Sequence, residues 1–281
     1  MKAREEHDTA VASLIAAHIA TELRARSARP LVFGVAGAQG SGKSTACAQA
    51  AATLEQQSHR TLTLALDDYY LSRAARAALA KDIHPLFATR GPPGTHDLAA
   101  LNATLTALRT GQSCVLRAFD KLQDDVLPED AWPSAAANPA VILFEGWCVG
   151  ARSEAPNALT KPINSLERDE DETCLWRSAV NSALAGPYAN LFASLDGLIL
   201  LLAPSFDVVH HWRCEQEETN AMRATAPEGS QPHRMDAAAI ARFIQHYERI
   251  TRNIITEMPD RADLTIQLDA KRNVLGLLTK D

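Results

Sequence analysis

The segment from Gly37 to Ser44 constrains the fold of this chain more than any other feature of its sequence. It fits the phosphate-binding loop pattern G-x-x-x-x-G-K-[ST] at every fixed position. The apolar run over 31–36 predicts a buried strand before the loop, and the Ala-rich stretch 45–54 predicts a helix after it. In this order, the N–H groups of the loop and of the helix N-terminus point at one spot and bind phosphate oxygens there.

A chance match in a glycine-rich turn is the alternative, but the strand and helix on either side disfavour it. Lys43 adds a positive charge for the outer phosphates, and the Ser44 hydroxyl is a ligand for Mg²⁺. We therefore expect a nucleoside triphosphate to be held by Gly37, Ala38, Gln39, Gly40, Ser41, Gly42, Lys43, Ser44 and Thr45.

Length and composition favour one α/β domain of ordinary type. The chain has 281 residues, of which 46% are hydrophobic, enough for a sizeable core. It carries 28 basic and 34 acidic residues without a long basic stripe, which disfavours nucleic-acid binding. We expect no signal peptide, and the longest apolar run, 198–203, is too short to cross a membrane.

The cysteines give no sign of a disulfide framework or a zinc site. There are 5 of them, with no C-x-x-C pair, and no motif that would activate a thiolate surrounds any one. Reduced thiols in the cytoplasm are the natural expectation.

Strands alternate with helices along the chain. Strands are predicted at 31–36, 61–66, 114–119, 141–144, 197–203 and, as the last one, 264–268; helices at 9–26, 45–54, 97–110, 175–195, 206–223 and 236–258. The stretches 128–139 and 149–172 are predicted to be loops, the second unusually long and therefore functional or mobile. This order predicts a three-layer α/β sandwich with a mostly parallel sheet and helices on both faces.

Two acids stand at strand ends, where parallel strands converge on the ligand crevice. Glu145 follows four apolar residues and is a candidate for holding Mg²⁺ or its water; the alternative is an acid paired with a surface lysine. Asp67 ends the second strand and is a candidate general base for an attacking hydroxyl. Alternatively, one acid of the pair Asp67 and Asp68, more naturally Asp68, caps a helix that starts at Tyr69.

Several longer motifs resemble the glycerate kinase branch of the P-loop kinases, whose more distant relatives are uridine kinase, phosphoribulokinase and pantothenate kinase. The most specific are Arg-Gly-Pro-Pro-Gly-Thr-His-Asp at 90–97 and Glu-Gly-Trp-Cys-Val-Gly at 145–150. Leu-Asp-Asp-Tyr-Tyr-Leu at 66–71, Phe-Asp-Lys at 119–121, Trp-Arg at 212–213 and the segment 246–252 also fit. The resemblance covers about residues 32–274.

The resemblance implies an ATP- and Mg²⁺-dependent kinase that converts D-glycerate to 3-phosphoglycerate, with Asp67 in the position of the base. It departs from the plant-type pattern at 122–127, where a Gly/Arg-rich stretch is replaced by Leu-Gln-Asp-Asp-Val-Leu. A glycerate site needs a cation for the carboxylate, and the candidates are Arg90, Arg117 and Lys121. The full set of candidate substrate residues is Tyr69, Arg90, Asp97, Asp120 and Lys121. Asp97 is also placed to cap the helix that follows it, a role that is compatible with orienting Arg90 or Lys121.

Phosphoryl transfer requires the exclusion of water, so we expect a lid. The helical region of about 206–234 is the candidate, with Arg213 and Arg223 reaching the phosphates on closure; plain solvated helix charges are the alternative. The chain is thus expected to be one kinase domain with an N-terminal helix at about 5–27, an insert loop at about 149–172 and this lid.

Other functions remain open on the sequence. A GTPase would need an Asn-Lys-x-Asp element and a transporter-type ATPase a Ser-Gly-Gly signature, and neither is present. Another acceptor is possible, such as pantothenate, a sugar or a nucleoside, although aromatic residues make up only 5% of the chain and a nucleoside site needs an aromatic sandwich. A regulatory ATP-binding protein with little turnover is the third possibility.

Overall fold

A six-stranded sheet organises the computed structural model, which describes residues 2–27, 30–223 and 237–280; for residues 2–8, 217–223 and 237–238 it describes the backbone alone. The strands are Leu31–Gly37 (β1), Thr61–Ala65 (β2), Cys114–Val115 (β3), Phe119–Asp120 (β4), Asp125–Val126 (β5), Ser134–Ala135 (β6), Val141–Gly146 (β7), Gly197–Leu202 (β8), Leu264–Leu268 (β9) and Val274–Thr279 (β10). The main sheet has the order β10-β9-β8-β1-β7-β2, and only β10 runs antiparallel to its neighbour.

Helices cover both faces of this sheet. The α-helices are Lys2–Ala25 (α1), Lys43–Gln56 (α2), Arg73–Asp82 (α3), Leu98–Arg109 (α4), Ser165–Glu170 (α5), Leu175–Ala183 (α6), Ala189–Phe192 (α7), Phe206–Arg223 (α8) and Ala237–Glu257 (α9). Side chains of a strand alternate between faces. In β1, Phe33 and Val35 accordingly join a core with α1, α2 and Trp212, while Val32 and Ala36 join a second core with α4, α6 and α9. The predicted three-layer α/β sandwich is confirmed.

The prediction that 264–268 is the last strand is wrong. After β9 the chain turns over residues 269–273 and returns as β10, antiparallel to β9, at the edge of the sheet. The side chains of Leu275, Leu277 and Leu278 are largely exposed. An edge strand with apolar side chains on its open face lacks the apolar–polar alternation by which a strand is detected.

The predicted strand 114–119 is two separate strands, and the stretch 128–139 is not only loop. β3 pairs with β6, which lies inside that stretch, and β4 pairs with β5. Two-residue strands are too short to carry a periodic signal, so their pairing depends on tertiary context.

The region 149–172 contains more helix than predicted. A 3₁₀ turn covers Pro156–Thr160, and α5 begins after Asn164, whose side chain accepts the Glu167 N–H at 2.9 Å. Asn164 followed three residues later by Glu167 is a sequence signal for the N-terminus of a helix. The prediction of a loop rested instead on the absence of apolar periodicity in this region.

The predicted helix 175–195 is interrupted. The segment Leu184–Tyr188 between α6 and α7 is π-helical and contains Pro187, which has no N–H to donate to the preceding turn. Helix α3 was not predicted. Ser72 caps it by accepting the Ala75 N–H, so the interpretation of Asp68 as the helix cap is wrong. No helix among the described residues combines the length and apolar character that crossing a membrane would require.

Candidate active site

The phosphate-binding loop connects β1 to α2 as predicted. Gly40 and Gly42 have positive φ angles of 75° and 89°, which a side chain would strain. Helix α2 starts at Lys43, and no side chain caps its N-terminus. The first N–H groups of α2 are therefore available to an anion, with the positive end of the helix dipole behind them.

The loop is held in place from the far end of the chain. Arg272 donates from Nε to the Gly40 carbonyl at 2.6 Å, and its guanidinium lies 5.0 Å above the ring of Trp212. The Trp212 indole N–H in turn donates to Ala270 at 2.8 Å. A Cβ atom on Gly40 would lie 2.7 Å from the Trp212 carbonyl oxygen. Trp212 is fully buried, in line with a packing role, whereas no sequence signal pointed to Arg272.

The residues of the loop fit a bound triphosphate. Both amide atoms of Gln39 and the hydroxyl of Ser41 are buried without a hydrogen-bond partner in the described structure. Buried polar atoms of this kind are rare unless a ligand or water satisfies them. The Cβ that Gly37 lacks would meet Ser41 Oγ at 2.8 Å, so the glycine is what leaves room for this hydroxyl.

Ser44 and Glu145 provide oxygen atoms at the inner end of the loop. Ser44 Oγ donates to Glu145 Oε1 at 2.6 Å, and Lys43 Nζ lies 3.9 Å from Glu145 Oε2. No cluster of three or more His, Cys, Asp or Glu suited to a metal occurs in the part of the chain that the structure describes. Mg²⁺ is commonly held by one or two protein oxygens together with phosphates, and this pair meets that requirement.

Asp67 lies at the carboxyl end of the sheet, in the 3₁₀ turn Leu66–Tyr69. One carboxylate oxygen accepts the Tyr70 hydroxyl at 2.7 Å and the other accepts Lys121 Nζ at 2.6 Å. Burial would raise the pKa of Asp67, but the charges of Lys121 and Lys43 outweigh it and hold this pKa well below its usual range. Asp67 is thus ionised at neutral pH and close enough to Lys43 to feel its charge.

Asp68, the next residue, has a different environment. Burial raises its pKa to about 6, against the opposing charge of Lys121. The negative charges of Asp67 and Glu145 act in the same direction as burial. The two adjacent acids are therefore distinguishable by their protonation behaviour.

The candidate cations each have an acidic partner. Arg90 forms a short ion pair with Asp124, which also pairs with Arg76 at 2.8 Å. Asp124 comes from the segment 122–127, where the sequence departs from the plant-type pattern. Arg117 pairs with Asp97 at 2.9 Å. Because a guanidinium has five N–H donors, one ion pair leaves others for a ligand, and Arg117 Nε is buried without a partner among the described residues.

Asp97 caps the N-terminus of α4 and also forms an ion pair. One carboxylate oxygen accepts the Ala100 N–H at 3.0 Å at the start of α4, and the other accepts Arg117. It therefore orients Arg117, and not Arg90 or Lys121 as considered from the sequence.

Asp67 and the side chains that interact with it, which are Tyr70, His96, Lys121 and Tyr247, form what we call the acceptor chamber. Two of the candidate substrate residues make local contacts outside this set. Tyr69 is fully buried, and its hydroxyl donates to Thr104 of α4 at 3.0 Å. The Asp120 carboxylate accepts the backbone N–H groups of Leu122 and Gln123, which shapes the turn that presents Lys121.

Two buried aromatic residues contact the backbone at Arg90 and Gly91. Tyr247 of α9 donates its hydroxyl to the Arg90 carbonyl at 2.8 Å, and Trp147 donates its indole N–H to the Gly91 carbonyl at 3.1 Å. The two rings are 4.8 Å apart, edge to face. Together they fix the Gly-Pro turn that follows Arg90. Their partners lie far away in sequence, so only the motif similarity could have indicated that Tyr247 and Trp147 belong to the site.

Arg213, the described arginine of the predicted lid, lies between two helices. It is 8% exposed, donates to Gln216 at 3.1 Å and has its guanidinium 5.4 Å from the ring centre of Phe243 in α9. The side chain of Arg223 and residues 224–234 of the predicted lid are outside the described residues.

A phosphate-binding loop between β1 and α2 of a mostly parallel sheet, with helices on both faces, is the architecture of a P-loop nucleotide-binding protein. The comparisons with known proteins agree. The chain is 32% identical over 231 residues to the uncharacterized kinase mug58 of Schizosaccharomyces pombe, covering 78% of this chain and 79% of that one. It is 26% identical over 258 residues to the chloroplastic D-glycerate 3-kinase of Arabidopsis thaliana. This match covers 87% of this chain and 54% of that one.

Among solved structures, the D-glycerate 3-kinase of Cryptococcus neoformans superposes with a TM-score of 0.77 at 24% identity, covering 96% of this chain and 99% of that one. No protein-family model matches the chain. The chain belongs to the same kinase family as mug58 and is an ATP-dependent kinase; it is also similar in sequence and fold to the D-glycerate 3-kinases.

Proposed function

We propose that the protein transfers the γ-phosphoryl group of ATP to the 3-hydroxyl of D-glycerate, giving 3-phospho-D-glycerate and ADP. The observation that carries the proposal is the position of Asp67. It is an ionised carboxylate within the influence of the Lys43 charge, and it accepts hydrogen bonds from Lys121 and from Tyr70, on which the charge of Arg90 also acts. A hydroxyl group there can give its proton to Asp67, and nearby cations suit the carboxylate of a hydroxy acid.

The loop residues and Asp67 have separate roles in the transfer. Lys43 and the N–H groups of the loop hold the outer phosphates in line with the acceptor. The acceptor oxygen forms a bond to the γ-phosphorus while the bond to the bridging oxygen of ADP breaks, and the hydroxyl proton passes to Asp67. Because the transition state of phosphoryl transfer involves little bond making, a base with a low pKa suffices when it is well placed.

Mg²⁺ would be held by Ser44 and Glu145, and when bound it neutralises charge on the transferring phosphates. The hydrogen bond of 2.6 Å between the two side chains keeps their oxygens together. We propose that α8 and the segment that follows it, about residues 206–234, form the lid. Arg213 would then have to exchange its contacts with Gln216 and Phe243 for phosphate oxygens.

A panel of acceptors tests the proposed function. Purified protein with ATP and Mg²⁺ is given D-glycerate, L-glycerate, glycerol, pantothenate, a pentose phosphate and uridine, and ADP release is measured. We expect the highest kcat/KM with D-glycerate, and NMR of the product identifies O3 as the phosphorylated oxygen. Faster turnover of pantothenate or uridine would overturn the choice of substrate, and ADP release unaffected by any acceptor would overturn the transfer itself.

A further inference from the structure

His96 is a buried residue of the acceptor chamber to which the proposed reaction assigns no role. It follows the Gly-Pro turn, and its backbone pairs with that of Tyr70 in an isolated β-bridge. The rings of His96 and Tyr70 are stacked with centres 4.7 Å apart, and the Tyr70 hydroxyl binds Asp67. His96 is 5% exposed and feels the charge of Asp67.

The hydrogen bonds around His96 define its tautomer. Tyr188 Oη accepts the Gly94 N–H at 3.0 Å and lies 2.6 Å from His96 Nδ1. A buried tyrosine hydroxyl needs an acceptor for its own proton, and Nδ1 is the atom in reach. Nδ1 is therefore the acceptor, and the ring proton of the neutral imidazole is on Nε2.

The Nε2 atom of His96, which carries this proton, is buried and has no hydrogen-bond partner in the described structure. Burial lowers the pKa of His96 to about 4, against the opposing effect of Asp67, so the ring is neutral at pH 7. The titratable groups that face it are Asp67 and Tyr70 from one turn and Tyr188 from the π-helical segment. A buried donor without a partner next to the candidate base indicates a ligand atom that accepts a hydrogen bond.

The chemistry of the reaction decides which acceptor atom this is. The attacking hydroxyl needs a free lone pair and gives its proton to Asp67, so a second donor on that oxygen would lower its nucleophilicity. A carboxylate oxygen remains an acceptor throughout the reaction and forms a charge-assisted bond with a neutral N–H.

We propose that His96 binds the acceptor carboxylate through Nε2–H, and that Tyr188 positions this donor by holding Nδ1. The inference rests on the proposed function, because it names the group of the hydroxy acid that the chamber recognises. It makes His96 a residue that determines the choice of a hydroxy acid over an alcohol without a carboxylate.

Two substitutions of similar size separate this role from simple packing. His96→Gln keeps an amide N–H near the position of Nε2, whereas His96→Asn keeps only a group near Nδ1. We expect His96→Asn to raise KM for D-glycerate about 10- to 100-fold, because a hydrogen bond to a charged group is lost. KM for ATP should change less than about twofold. His96→Gln should recover most of that loss.

His246 supplies the matched control. It is also buried, its pKa is also lowered to about 4 by burial, and its Nε2 also lacks a partner among the described residues. It packs against Trp176, however, and Asp67 is not among the charges that shift its pKa. His246→Asn should leave KM for D-glycerate within about twofold of the wild type. In Asp68→Asn, which lacks the neighbouring acid with a pKa of about 6, KM for D-glycerate should stay flat from pH 5.5 to 8, because a neutral donor loses no charge in this range.

A ¹⁵N spectrum of the wild-type histidines tests the tautomer without any substitution. We expect His96 to be neutral with the proton on Nε2, and D-glycerate to shift this Nε2 signal. A proton on Nδ1, or no response to D-glycerate in an enzyme that turns it over, would overturn the inference, as would an unchanged KM in a folded His96→Asn variant. Failure of the proposed function is recognised separately, since the wild-type enzyme would then not phosphorylate D-glycerate at all.

Discussion

The phosphate-binding loop and the acceptor chamber are adjacent, but they are built in different ways. The loop is one continuous segment, Gly37 to Thr45, and presents mainly backbone N–H groups to a ligand. The chamber is assembled from side chains of five segments, including the turn at Asp67, the Gly-Pro turn, the turn at Lys121, the π-helical segment and α9. Backbone sites are encoded locally, whereas side-chain sites depend on the whole fold.

Removing the charge of the loop should have the largest effect. Lys43→Ala deletes the ammonium group that faces the outer phosphates, and we expect kcat/KM for ATP to fall about 10³-fold or more, with weaker nucleotide binding. Equilibrium titration with ATP and steady-state kinetics check both parts. Lys81→Ala, an exposed lysine in the last turn of α3, is the control and should behave as wild type. Near-normal activity of Lys43→Ala would show that the backbone alone suffices.

A single methyl group tests the claim that the loop acts through its backbone. Gly40→Ala places a Cβ against Trp212 at a positive φ of 75°, and we expect KM for ATP to rise about 10- to 100-fold as the loop shifts. Gly186→Ala is the matched control, since a Cβ there meets nothing within 4 Å. Equal behaviour of the two variants would contradict this account of the loop.

The chamber should respond to pH where the loop does not. In Lys121→Ala, Asp67 loses the cation that most lowers its pKa, so burial raises that pKa. The base then becomes protonated as pH falls, and we expect activity at pH 5.5 to drop about tenfold relative to activity at pH 8. Lys121→Arg keeps the charge and should keep the wild-type profile. A pH–rate profile of kcat/KM distinguishes the two.

The sequence predicts the parts of the fold whose signals are local. The loop, its strand and helix, and the parallel order of the sheet follow from one motif and from apolar runs. The exposed strand β10, the two-residue strands β3 to β6 and the π-helical segment at Pro187 were missed or misassigned. Their conformations are set by partners distant in sequence, or, for β10, by an edge position that needs no alternation of apolar residues.

The same division holds in the active site. Lys43, Ser44 and Glu145 come together as their positions at the loop and strand end predict. The bond from Arg272 to Gly40 and the contact between Tyr188 and His96 link residues separated by 232 and 92 positions, and no spacing rule could pair them. Tyr69 had the right motif position, but the direction of its side chain depends on the packing of α4.

The central claim is that Asp67 accepts the proton of the acceptor hydroxyl while the loop holds ATP independently. The most direct test measures ATP affinity and phosphoryl transfer to D-glycerate in Asp67→Asn and in Asp68→Asn, whose acid has the pKa of about 6. We expect Asp67→Asn to bind ATP like the wild type and to lose about 10²- to 10⁴-fold in kcat, with Asp68→Asn keeping most of its turnover. Normal turnover in Asp67→Asn together with loss of turnover in Asp68→Asn would contradict the account.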